Sequence, residues 1–261
     1  MRTAKAKIVR SRLKQLVATS ALALLAHSSP AQPGATTARD SATFDPTGYW
    51  VSVVSEEWRW RMLTPPKGDY ASIPLNAEGR RIADSWDRAA DTASDRCRQY
   101  GAAGLMRIPG RLHIQWEDDE TLRIEFDAGM QTRYLHFDPA ASGREQRSLQ
   151  GNSRARWHKQ PQARGLAFGP PDTSGSGGTL IVVTDNTTGG YLRANGVPYS
   201  ENTLMTEYFN RHEHRTGESW LVVTSVIEDP MYLSQPFVVS THFRRERDGD
   251  NWMPRPCRDS R

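Results

Sequence analysis

The chain has 261 residues, 37% hydrophobic and 25% charged, with a formal net charge of +4 and two cysteines. That length suits one β-rich domain better than two small ones, and no internal repeat is visible. Residues 1–31 hold six basic side chains (Arg2, Lys5, Lys7, Arg10, Arg12 and Lys14) and no acid, so the rest of the chain carries −2; this argues against a nucleic-acid binder, which needs a sustained basic patch.

Those first residues read as a secretory signal peptide. A basic start is followed by the short apolar run "LVATSALALLA" and by small residues, Ser29 and Ala31, at the positions of a cleavage site. The run is too short to span a bilayer as a permanent helix, so a periplasmic or secreted protein without stable membrane insertion is expected. Both cysteines, Cys97 and Cys257, lie beyond the leader, where an oxidising compartment favours one disulfide.

Residues 32–47 are polar and rich in small side chains, and read as a flexible lead-in. Strand-like text begins at "YWVSVVSEEWRWRM" (49–62), which places Trp58 and Trp60 on one strand face. A helix is predicted over 76–91, with Asn76 as N-cap and Ile82, Trp86 and Ala89/Ala90 on one side. It sits in a helical insertion, 65–104, between the first two strands. Eight further strands follow, at 111–117, 121–127, 130–137, 147–158, 179–185, 203–214, 219–228 and 235–246. The Pro/Gly/Ser-rich segment 161–178 lacks a lysine followed by Ser or Thr and is not a phosphate-binding loop. The sum is a mainly β fold, an up-and-down antiparallel barrel of about eight to ten strands with one helical insertion.

Alternation sets the registers. Leu112, Ile114 and Trp116 share a face with Leu122, Ile124 and Phe126, which sets His113 opposite Glu125 and Gln115 opposite Arg123. The next strand offers either Arg133 or the pair Tyr134 and His136 to the apolar face, depending on turn length. In "NRHEHRTGESW", a tight Thr216-Gly217 turn would pair Arg215 with Glu218. Tyr208, His212 and His214 would then share a face with Leu221 and Val223, and Glu207 and Arg211 would lie on the other.

Gly48-Tyr49-Trp50, preceded by Asp45-Pro46, resembles the GxW opening of the lipocalin and fatty-acid-binding (calycin) barrels. The resemblance implies a basic residue late in the last strand packed across that tryptophan, which Arg244 or Arg245 would supply, and a helical lid at the insertion. "TPPKGDY", "GAAGLMRIPGRLHI", "YLRANGVPYS" and "STHF" are also similar to a group of secreted bacterial proteins of unknown function.

Three functional readings follow. The first is an exported, monomeric barrel holding a small apolar or amphipathic organic ligand in its interior, with Trp58, Trp60, Arg133, Glu207, Tyr208 and the loop residues Tyr191, Arg193 and Tyr199 as contacts. The second is a barrel enzyme of isomerase, hydratase or cyclase type, with Glu207, Tyr208, His136 and His242 as acid–base candidates. The third is an envelope protein without ligand. No cofactor is implied. His212 and His214 have metal-ligand spacing but sit by a turn, and His242, two strands away, is too far to share an ion with His212.

Overall fold

The computed structural model describes residues 36–90, 95–141, 146–159 and 177–257, with the backbone alone at 95 and 96. The leader, the start of the lead-in and all but the last two residues of the 161–178 loop lie outside them. Nine strands close into a barrel: β1 (Gly48–Val53), β2 (Arg111–Asp118), β3 (Thr121–Phe126), β4 (Gln131–His136), β5 (Asn152–Lys159), β6 (Gly178–Asp185), β7 (Leu204–Glu213), β8 (Ser219–Glu228) and β9 (Phe237–Arg245). Each strand pairs with its neighbours in sequence, and β9 returns to β1. Alternation of apolar and polar residues located all nine strands, but the first ends at Val53 rather than running on to 62, and β5 begins at Asn152 rather than 147.

An odd number of strands cannot alternate all the way round a closed barrel. The parity is broken at β4–β5, which run parallel and pair only at Leu135↔Ser153 and His136↔Arg154. All other neighbours are antiparallel. The purely antiparallel barrel expected from sequence is corrected at that seam.

The inward rows are mainly apolar. Trp50, Leu112, Ile114, Leu122, Ile124, Leu135, Leu180, Val182, Phe209, Leu221, Val223 and Phe243 are buried in one core. Burial on this scale follows from the period-two pattern and stabilises at about 25 cal/mol per Å² of apolar surface. Around one end of the barrel Phe44, Trp116, Phe137 and Trp157 pack against one another and against this core. Residues 36–47, read as a flexible lead-in, are tied to that end. Trp157 Nε1 donates to Ala38 O at 2.8 Å, and Arg39 N donates to Asp119 O at 3.1 Å.

A cap covers the other end. It contains α1 (Trp58–Met62), α2 (Ala77–Ser85), α3 (Ala102–Leu105) and a small hairpin, Gly190–Arg193 with Val197–Tyr199. Its core (Tyr70, Ile73, Ala83, Ala102, Ala103, Leu192, Val197 and Tyr199) packs on Met205, Ile227 and Phe237 of the barrel. Asn76 caps α2, its side chain accepting from Gly79 N at 2.8 Å. The helix ends at Ser85 rather than 91, so Ala89 and Ala90 fall in a separate exposed 3-10 turn. Trp86 leaves the helical path to lie over Gly196, whose φ of +79° and missing side chain admit the ring. Cys97 and Cys257 form the expected disulfide, which joins the cap to the C-terminal tail.

Two sequence readings change. Residues 58–62 are helical, so Trp58 and Trp60 do not share a strand face. Glu57 takes a left-handed conformation with φ 49° and turns the chain, and Thr64-Pro65-Pro66 follows soon after. The β7–β8 hairpin is shifted by one residue: Glu213 pairs with Ser219 and Phe209 with Val223. The loop is one residue longer than a two-residue turn and needs Gly217 at φ +84°. A one-residue slip flips every side chain. Glu207 therefore faces inward with Leu221 and Val223, and Tyr208 faces out.

Candidate functional site

Four polar residues inside the barrel, Arg133, Ser153, Thr184 and Glu207, form one buried cluster. Arg133 faces inward, as one of the two turn readings required, because Phe126 pairs with Gln131 and Ile124 with Arg133. Its Nη2 lies 2.6 Å from Glu207 Oε2 and 3.1 Å from Thr184 Oγ1, and its Nη1 lies 3.1 Å from Glu207 Oε1. Ser153 Oγ is 3.4 Å from Nη2 and shares a 2.8 Å hydrogen bond with Thr184. Neither charged side chain has any exposed surface. A two-pronged carboxylate–guanidinium pair with hydroxyl partners satisfies buried charge that would otherwise be prohibitive. Arg133 and Glu207 thus come together, as an internal pair rather than as an open site.

The expected loop residues gather elsewhere. Trp60, Tyr191 and Arg193 line one cleft of about 220 Å³ in the cap, enclosed by α1, the chain just after α3 and the small hairpin. Arg61 and Arg107, which the sequence reading did not single out, line it as well, with Met62, Leu63, Ile108 and Pro109 as apolar wall. Tyr199 is buried beneath, against Gly101 and Gly190. Burial pushes its hydroxyl well above the ordinary tyrosine range. Trp58 is 61% exposed beside exposed Met62 and Leu63.

The cleft is electrostatically one-sided. Among the described residues Arg61, Arg107 and Arg193 line it and no carboxylate does. Their acids stand elsewhere: Glu56 pairs with Arg61, and Glu57 with Arg107 and, at 3.8 Å, with Arg193. Arg61 Nε donates to Arg107 O at 2.8 Å, and Arg107 Nη1 to Leu192 O at 2.8 Å. Arg193 Nη2 donates to Ala71 O at 2.9 Å, and its guanidinium carbon sits 4.7 Å from the centre of the Trp60 ring. Trp60 Nε1 donates to Asp69 Oδ2 at 3.0 Å. These contacts fix three guanidinium planes on the cap. Burial, followed by the neighbouring Arg107 charge, brings Arg193 down to about 10. Burial also lowers Arg61 and Arg107.

The acid–base candidates are dispersed. Glu207 is sealed inside. Tyr208 stands half-buried on the outer side of β7, its side chain opposite in sense to that of Glu207. His136 faces outward at the end of β4 and, with Tyr134, lines a separate cleft of about 270 Å³ by the β4–β5 seam. His242 also faces outward, its Nδ1 2.8 Å from Glu56 Oε2. His212 and His214 lie at the exposed end of the hairpin, with His214 Nδ1 2.8 Å from Thr216 Oγ1. Among the described residues no group of three or more His, Cys, Asp or Glu side chains is placed to hold a metal.

In the Gly48-Tyr49-Trp50 opening, Trp50 is fully buried and its Nε1 donates to Pro46 O at 2.9 Å. It pairs across strands with Arg245, not Arg244, and that guanidinium lies 5.7 Å from the ring centre. Among the described residues no helix is long and apolar enough to cross a membrane. No protein-family model matches the chain, and no curated protein or solved structure matches it either.

Proposed function

We propose that this is an exported, calycin-like binding protein whose ligand site is the cap cleft rather than the barrel interior. The observation that carries the reading is the convergence of Trp60, Tyr191 and Arg193 on one cleft, while the barrel interior holds a packed apolar core and the paired Arg133 and Glu207. An aromatic face, fixed cationic groups and an apolar wall suit a small amphipathic organic molecule. The Trp50–Arg245 contact and the helical cap between β1 and β2 support the calycin reading. Export is supported by the leader-like residues 1–31, with cleavage after Ala31, and by the disulfide. A single chain without a partner is the simplest state consistent with a barrel that covers its own edges.

Native mass spectrometry of the protein purified from the envelope of its own cells tests this. A bound organic mass should accompany the wild type and be lost from Thr64→Trp, which fills the cleft from a half-buried position on its wall. A ligand retained unchanged by that variant would overturn the placement. An intact mass beginning at residue 32 is the result expected for leader removal.

A further inference from the structure

The cap cleft is strongly cationic. Among the described residues its wall carries three guanidinium groups and no acid. The three side chains are 2%, 6% and 1% exposed for Arg61, Arg107 and Arg193. Each keeps one buried N–H-bearing nitrogen without an acceptor: Arg61 Nη2, Arg107 Nε and Arg193 Nε. One buried donor without a partner is costly, and three on neighbouring cations are more so. In the surrounding cluster four guanidinium groups, counting Arg59, meet three carboxylates, those of Glu56, Glu57 and Asp69. An oxyanion in the cleft would supply the missing charge beside the three arginines that line it.

We propose that the ligand of this cleft is an amphiphile with an oxyanion head, a carboxylate or a phosphate monoester. Arg61, Arg107 and Arg193 bind the head. Ile108 and Pro109 line the wall beside it, and exposed Met62 and Leu63 seat the apolar part at the rim. The inference rests on the cleft being the ligand site. Planar guanidinium groups held in place by backbone carbonyls match oxyanion geometry with little ordering left to do. A volume of about 220 Å³ holds the head and the first atoms of a chain, so the remainder must lie over the rim.

Calorimetric titration of the full, disulfide-bonded protein with four probes of one chain length decides it: octanoate, octyl phosphate, octanol and octylamine. Octanoate or octyl phosphate should bind, more weakly as salt is raised, and which of them binds tighter identifies the head. Because Arg107→Gln could fail to fold, the companion variants sit at Leu63, which is 70% exposed. Leu63→Glu should weaken the anion about tenfold more than Leu63→Gln does, through one added negative charge in a medium of intermediate dielectric. Equal effects of Glu and Gln, or tighter binding of octanol or octylamine with loss on Thr64→Trp, would overturn the oxyanion head and leave the cleft as the ligand site. Failure of all four probes, with no co-purifying mass, would overturn both.

Discussion

Arg133 and Glu207 stand on strands separated by two others, yet their side chains meet in two hydrogen bonds of 3.1 and 2.6 Å inside the barrel. Both are fully buried, and among the described residues each is the other's only charge compensation within hydrogen-bonding reach. Glu207→Leu should destabilise the fold by about 3–5 kcal/mol, because it strands a buried guanidinium. Replacing both, as Arg133→Met with Glu207→Leu, should recover most of that loss. Urea unfolding of the two single variants and the double variant measures the coupling.

Arg245 lies across Trp50, and Gly48 makes room for it. A side chain at Gly48, where φ is +115°, would meet the Arg245 guanidinium within 3.2 Å. Gly48→Ala should therefore cost more than about 1 kcal/mol, through backbone strain as well as crowding. Arg245→Met, which keeps the length without the charge, should cost about 0.5–2 kcal/mol. Thermal unfolding followed by near-ultraviolet circular dichroism at Trp50 reports both.

The Cys97–Cys257 bridge closes a loop with a sequence separation of 160 residues. On the loop-entropy account it contributes about 4–5 kcal/mol. Cys257→Ser should lower the unfolding midpoint, and a reducing agent should shift the wild type to match the variant. A variant midpoint equal to that of the oxidised wild type would show that the bridge leaves stability unchanged.

Tyr70 predicts an alkaline limit. Burial and its 2.8 Å hydrogen bond to Asp84 Oδ1 raise its hydroxyl to about 12 from the ordinary value of 10.0. The folded state thus favours the protonated phenol. Its contribution is complete below pH 10 and is lost as pH rises toward 12. Wild type and Tyr70→Phe should differ in the pH dependence of stability over that window, with the variant showing the shallower decline.

The strands were legible because period-two alternation states where a chain is buried on one face, and Leu112 to Phe126 show it without interruption. The inward position of Glu207 was not. It hangs on the loop at 214–218, where a two-residue and a three-residue turn read alike until Gly217 is seen in its left-handed conformation. Trp58 and Trp60 misled because aromatic alternation fits a strand, whereas the Glu56–Arg61 and Glu57–Arg107 pairs accompany a helical turn. Tyr191 and Arg193 were found through their loop. Arg61 and Arg107 were not, since no local spacing links residues 46 apart whose nearness is created by the cap.

The β4–β5 pairing bears on how the barrel comes apart. A cylinder of strands is a hoop, and its resistance to splitting is that of its weakest junction. Eight junctions are laced by longer antiparallel ladders, while this one is fastened at two residue positions. Local opening should begin there, as a slit between Gln131–Tyr134 and the start of β5. Amide protons of β4 and β5 should then exchange with solvent sooner than those of β7 and β8, whose ladder pairs ten positions.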